Sequence, residues 1–228
     1  MEINTMKNSI DENLVNQAST SLVAVLGSGG HTTEMLKLVG ALSSRDYNPR
    51  TFVYANTDDM SPEKLKNLTN TNFQVSTNYI VIIDHIKLVH LVLDYDSKYS
   101  TADICINSIF QTFGVPRARE VGQSWFTSFF FTIYAFLCCL SIIWRTRPKL
   151  VLVNGPGTCV PIVLATRLLS VCRLFKTQIV FVESICRVKT LSMSAKLLMT
   201  FKMLDVIIVQ WPELALKYPH TKYIGKMF

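Results

Sequence analysis

The feature that most constrains this chain is an alternation along its length: a few consecutive apolar residues, a loop rich in glycine or opened by a carboxylate, then a stretch with helical spacing. Residues 22–26 form such an apolar run. It stops at Gly27-Ser28-Gly29-Gly30, and Thr32-Thr33-Glu34 opens a stretch that places Met35, Leu36, Leu38, Val39 and Leu42 at helical spacing. Short runs that are apolar at every position suit strands buried on both faces, the condition of parallel sheets. Residues 51–55, 79–83, 150–153, 178–182 and 206–209 read as further strands. Ser61-Pro62-Glu63 reads as N-cap, first-position proline and first-turn acid of a second helix. Helices are also expected from the 154–157 loop to about residue 170, and over 191–203. Strands alternating with helices predict an α/β domain with a doubly wound parallel sheet. Residues 84–113 show no clean period and read as an insertion or a strand-plus-loop excursion.

With 228 residues there is room for one α/β domain of ordinary size and not for two full ones. Residues 1–20 form a polar tail and 21–228 the domain. Charged residues make up 17% against roughly 25% in typical soluble proteins, while apolar residues reach 49%. That balance predicts a core-rich domain with some surface that meets lipid or a partner. The net charge of +7 suits an anionic ligand or anionic headgroups, or is simply solvated. No dense basic run, zinc-finger spacing or RNA-binding aromatic motif accompanies it, so nucleic acid is not expected as a partner.

In open sheets of this kind ligands bind outside the carboxyl ends of the strands. Three candidate segments lie at such ends: Gly27, Ser28, Gly29, Gly30 and His31; Asn154, Gly155, Pro156 and Gly157; and Glu183 to Arg187. The first joins strand to helix, where glycines let backbone approach a ligand and the helix end offers N–H groups to a phosphate. Its spacing is neither the dinucleotide fingerprint nor the phosphate loop with its lysine, and no acidic residue closes the strand at 51–55. An unliganded tight turn is the plain alternative. His31 reads as a phosphate donor, a general base, or a loop histidine. The second loop fixes a tight path against a ligand or is a plain turn. Glu183 could accept bonds from sugar hydroxyls, or pair with Arg187 or Arg119. His85, His90 and His220 lack metal-ligand spacing, so neither a metal nor another cofactor is expected.

Residues 121–144 carry no charge, have Trp125 and Trp144 near their ends and basic residues on both flanks: Arg117 and Arg119, then Arg145, Arg147 and Lys149. At about 1.5 Å per residue the run could span a bilayer. A single crossing would put the strands at 22–26 and 150–153 on opposite sides of a membrane, where they could not share a sheet. An interfacial or hairpin insertion is therefore expected, against the alternative of a buried core helix. Residues 1–20 lack an apolar h-region, so neither a cleavable signal nor an N-terminal anchor is expected. Six cysteines without a C-x-x-C pair, most within apolar runs, fit a reducing, cytosol-facing compartment.

Five segments together resemble a known family: VLGSGGHTTEML (25–36), RAREVGQSW (117–125), NGPGTCVPI (154–162), FVESICRVKTLSMSAKLL (181–198) and VQWPELALKYP (209–219). They are similar to the membrane-anchoring subunit of the two-subunit UDP-N-acetylglucosamine transferase of dolichol-linked oligosaccharide synthesis, the asparagine-linked glycosylation 14 family. The match covers residues 21–228 in order. The resemblance implies a Rossmann-like domain equivalent to the N-terminal, acceptor-binding half of a GT-B glycosyltransferase, similar to the bacterial enzyme that makes lipid II. It implies a catalytic, donor-binding partner subunit, a dolichol-linked acceptor, the cytosolic face of the endoplasmic reticulum membrane, and transfer of the second GlcNAc onto GlcNAc-pyrophosphate-dolichol. By motif position it places Gly27, Ser28, Gly29, Gly30 and His31 in the loop near the acceptor pyrophosphate, and Asn154, Gly155, Pro156 and Gly157 in the second loop. His31 would then act as hydrogen-bond donor or as base toward the sugar O4, and Glu183 would hold or polarise the acceptor. Ile224, Met227 and Phe228 fall in the tail that meets the partner. Family members usually begin with a transmembrane helix, so the polar residues 1–20 shift the expected membrane contact to 121–144. Two rival readings are a pure membrane scaffold without an acceptor site and a complete soluble nucleotide-sugar or dinucleotide enzyme.

Overall fold

The structure, a computed structural model, describes residues 19–43, 46–70, 110–117, 125–155 and 157–225. In chain order the elements are β1 (Leu22–Val25), α1 (Gly30–Ala41), β2 (Arg50–Ala55), α2 (Met60–Asn70), β3 (Phe110–Val115), α3 (Trp125–Thr146), β4 (Leu150–Val153), α4 (Cys159–Val171), β5 (Gln178–Val182), α5 (Met193–Thr200), β6 (Val206–Val209), α6 (Pro212–Lys217) and β7 (Lys222–Tyr223). The strands form one parallel sheet in the order β3-β2-β1-β4-β5-β6-β7, with Val25 beside Val53 on one side and Val153 on the other. This is the doubly wound, Rossmann-like architecture that the alternation predicts.

Successive strand side chains point to opposite faces, and both faces are covered. Val23, Val25, Val151, Val153, Ile179 and Phe181 pack with α3, α4, α5 and α6. Leu22, Ala24, Leu26, Phe52, Leu152 and Val182 share the other core with Met35, Leu36 and Val39 of α1 and Leu65 of α2. Double coverage is why β1 and β4 are apolar at every position.

Local differences from the sequence expectation have physical reasons. The strand expected at 79–83 lies outside the described residues, and the edge position is held by β3, which begins within the stretch read as an insertion or a strand-plus-loop excursion. Its sequence, FQTFGV, exposes Gln111 and half-exposes Phe113, so an edge strand lacks the uniform apolar run of a central one. The helix expected over 191–203 is shorter: the Ser192 side chain caps it by accepting from Ala195 N, and Lys202 at φ 51° lies past its end. For α2, the cap falls to Asp58, whose Oδ1 accepts from Ser61 N at 3.2 Å. The two-residue β7 is too short to leave a pattern.

Residues 121–144 correspond largely to α3. Ala135, Cys138, Cys139, Ile142 and Ile143 are buried, whereas Phe130, Phe131, Ile133, Leu137 and Trp144 are exposed. The helix joins β3 to β4 within the one sheet and packs on α4. It is thus neither wholly buried nor able to place its two flanking strands on opposite sides of a bilayer. Among the described residues no helix is long and apolar enough to cross a membrane.

Candidate functional site

The chain winds outward from β1 through β2 to β3, then returns to place β4 on the other side of β1. The loops leaving β1 and β4 feed helices on opposite faces, α1 on one and α4 on the other. They part at a topological switch point, where such sheets form a crevice. The first two loops singled out in the sequence meet there.

Gly29 is the N-cap of α1 at φ 70° and ψ −120°, backbone that a residue with a Cβ rarely adopts. No side chain caps the helix, so its first N–H groups face the loop with the positive end of the helix dipole. The loop is braced from α2. The Thr32 hydroxyl donates to Gly27 O and lies 2.6 Å from Ser61 Oγ, which donates to Asp58 Oδ2 at 2.5 Å. Lys64 Nζ donates to Gly29 O and to Thr33 Oγ1, both at 3.1 Å. This lysine sets a positive charge beside the glycines. Sequence reasoning missed it because it comes from another helix with no motif around it.

His31 and Asn154, from different loops, touch: Nδ1 and Oδ1 are 2.8 Å apart. Asn154 is buried and its Nδ2 donates to Glu34 Oε2 at 2.8 Å. Glu34 Oε1 accepts from Ser184 Oγ at 2.8 Å and Ile185 N at 3.3 Å. All three candidate loops therefore converge on Glu34, which the sequence reading took only as an acid near a helix start. One signal was present: His31 and Glu34 are three apart and so share a helix face. The His31 ring lies against Gly155, at φ 91°, where a Cβ would come within 2.6 Å of Nδ1. That close approach is the reason for glycine there.

Glu183 does not sit as expected. It is fully buried, its Oε2 accepts from Ser192 N at 2.8 Å and its Oε1 from Ser184 N at 3.3 Å. Burial pushes its carboxyl above the ordinary range, opposed by the bonds from Ser192 and Ser184 and by the charge of Arg187. Its side chain holds the 183–192 loop to the sheet. Gln210 Nε2 donates to Glu183 O at 3.1 Å and Trp211 Nε1 to Ile185 O at 2.7 Å, clamping the same loop from beyond β6. The carboxylate beside His31 is Glu34, with Oε2 3.9 Å from Nδ1. Cys159, next to the second loop, is fully buried, and burial pushes its thiol up to about 12.

Of the remaining predicted residues, Ser28 is half-buried, and Gly30 and Gly157 are exposed. Ile224 is exposed just past the edge strand β7. Pro156, Met227, Phe228 and Arg119 lie outside the described residues. Arg145 is in the last turn of α3 and Arg147 and Lys149 lie between α3 and β4, toward the amino ends of the strands, while Arg117 follows the carboxyl end of β3. Among the described residues no group of His, Cys, Asp and Glu could hold a metal ion.

The sequence matches the family described as Oligosaccharide biosynthesis protein Alg14 like over residues 22–227. It is similar to UDP-N-acetylglucosamine transferase subunit ALG14 of Homo sapiens, 42% identical over 209 residues, covering 92% of this chain and 83% of that protein. The Schizosaccharomyces pombe protein of that name is 38% identical over 207 residues, covering 90% and 81%. The crystal structure of Acinetobacter baumannii MurG shares the fold with a TM-score of 0.53 at 12% identity, over 86% of this chain and 42% of that one. The family match over nearly the whole chain and the identity to these relatives show that the chain belongs to the Alg14-like family of oligosaccharide biosynthesis proteins.

Proposed function

We propose that this chain is the acceptor-side subunit of a two-chain UDP-N-acetylglucosamine transferase, inactive alone, which adds the second GlcNAc to GlcNAc-pyrophosphate-dolichol on the cytosolic face of the endoplasmic reticulum. One observation carries the reading: a crevice with an uncapped helix start, a lysine and a histidine lies at the switch point of a single Rossmann-like sheet, and the described residues include no second lobe to bring a nucleotide donor.

In this reading the N–H groups at the start of α1 and Lys64 receive the acceptor pyrophosphate. His31 Nε2 takes the proton from the 4-hydroxyl as that oxygen bonds to the donor sugar and UDP leaves. Neither metal nor organic cofactor is called for. The exposed apolar side of α3 lies along the membrane surface, its end marked by Trp144 beneath the Arg147 guanidinium at 5.2 Å. The partner, a catalytic donor-binding subunit, joins at the β7 edge and tail, through Ile224, Met227 and Phe228.

The test is a pull-down of the full chain with its partner, followed by GlcNAc transfer to the lipid acceptor. Transfer by the pair and none by the chain alone is expected; elongation by the chain alone overturns the reading. Affinity of the isolated chain for GlcNAc-pyrophosphate-dolichol supports the crevice as its site. Undetectable affinity, with an active pair, reduces the chain to a scaffold.

A further inference from the structure

The hydrogen bonds around Glu34 can be satisfied in only one sense. Ile185 N–H and Ser184 O–H are donors, and both reach Oε1 of Glu34, at 3.3 and 2.8 Å. Oε2 of the same carboxylate is 2.8 Å from the Asn154 amide. A carboxylate only accepts, so Asn154 must turn its NH2 to Glu34 and its Oδ1 to His31. That oxygen also only accepts, so His31 Nδ1, 2.8 Å away, must carry the proton. A neutral imidazole has one N–H, which leaves the lone pair on Nε2. Glu34 Oε2, 3.9 Å from Nδ1, adds charge that favours a proton there. Gly155 packs against the ring and fixes its place. Asn154 is 1% exposed and Glu34 9%, so water does not compete freely for these bonds.

We propose that Glu34, acting through Asn154, is a positioning residue that locks His31 in the Nδ1–H tautomer and so reserves Nε2 as the proton acceptor of the site. The lock itself follows from the hydrogen bonds; its use in transfer rests on the acceptor-site reading above. In that use the acceptor O–H bond breaks, its proton goes to Nε2, the freed oxygen bonds to the donor sugar carbon, and the bond to UDP breaks with its electron pair leaving on UDP. The imidazolium formed keeps its Nδ1–H on Asn154, with Glu34 near enough to offset the new charge.

Two substitutions of nearly unchanged shape reverse and restore the lock. In Glu34→Gln, the Gln oxygen stays with Ser184 and Ile185, because the Ile185 N–H cannot face an NH2. The Gln NH2 then faces Asn154, whose amide turns over and presents its own NH2 to His31. Nδ1 must now accept, and the proton moves to Nε2. Adding Asn154→Asp supplies two acceptors, one for the Gln NH2 and one for the His31 Nδ1–H, and returns the first tautomer.

The experiment is long-range 1H–15N correlation on the full chain with 15N-labelled histidine, the His31 signals being those lost in His31→Ala, at a pH where the ring is neutral. The expected results are Nδ1–H in wild type, Nε2–H in Glu34→Gln and Nδ1–H again in the double variant. In the reconstituted complex kcat should fall by about a hundredfold in Glu34→Gln, the usual worth of a placed general base, and rise again in the double variant. An Nε2–H signal in wild type overturns the lock, and that spectrum decides even should Glu34→Gln not fold. An unaltered tautomer in Glu34→Gln also overturns it. Should the tautomers follow the pattern while His31→Ala stays fully active, the lock stands and His31 is not the base.

Discussion

Two buried carboxylates sit within one loop of each other and do different work. Both Glu183 and Glu34 accept bonds from the 184–192 segment. Glu183 is wholly enclosed and its side chain accepts from two backbone N–H groups, so it fixes where the loop runs. Glu34 accepts from one backbone N–H, one hydroxyl and one side-chain amide, and that amide touches a ring that is a third exposed. A carboxylate bonded to backbone shapes the chain. One bonded to a side chain that can turn passes polarity onward. The strand-end position drew attention to Glu183, but it is Glu34 whose partner Asn154 touches His31.

The sharpest break of this contrast leaves both carboxylates alone. Gly29→Asp puts a side chain at φ 70° and a negative charge at the start of α1. Transfer by the complex should fall by about a hundredfold or more, as misplaced binding groups cause, while the two subunits still co-purify. Lost pairing would mark the loop as structural and place it with Glu183.

Exchanging the carboxylates for alanine separates stability from turnover. Glu183→Ala strands the N–H groups of Ser184 and Ser192 and should destabilise the chain by about 3 kcal/mol in urea unfolding. Glu34→Ala strands one backbone N–H, a hydroxyl and an amide and should cost about as much, yet it should also lower kcat by about a hundredfold. Equal effects of the two in both measurements would erase the distinction. Gly155→Ala meets the His31 ring at 2.6 Å from backbone at φ 91°, so it should destabilise by about 2 kcal/mol and lower kcat while pairing persists. Lys64→Met should raise KM for the lipid acceptor about fivefold, a half-buried charge being worth about 1 kcal/mol; a change in kcat instead would move Lys64 from binding to chemistry.

The smallest effect is a pH slope. Burial raises the folded-state carboxyl of Glu183 above its unfolded value, so between the two the folded chain holds a proton the unfolded chain has released. The stability tied to that proton is present in acid and lost as pH rises through the folded-state value. The stability of wild type minus that of Glu183→Gln, from urea unfolding at each pH, should therefore fall as pH rises from acid toward neutral. A difference that rises instead would mean that the bonds from Ser184 and Ser192 outweigh burial.

Much of this was legible in the residues. The central strands were readable because burial on both faces demands apolar side chains at every position, and the first two candidate loops lie where strand-to-helix connections of a doubly wound sheet must put them. The edge was not: Phe110–Val115 and Lys222–Tyr223 pair on one side only, which leaves no uniform apolar run. For α3, the charge-free run disclosed the helix but not its two sides, because the buried Cys139 and Ile143 and the exposed Phe131 and Leu137 are all apolar.

By itself, then, the sequence determined the alternation, the parallel sheet and the glycines at the two strand ends, all local properties set by side-chain period and by backbone that only glycine adopts readily. The tertiary structure alone decided that Lys64 leans on Gly29 and that Asn154 stands between Glu34 and His31. Those contacts join residues 35 to 123 positions apart, and no local pattern encodes a distance that only the winding order of the sheet brings to zero.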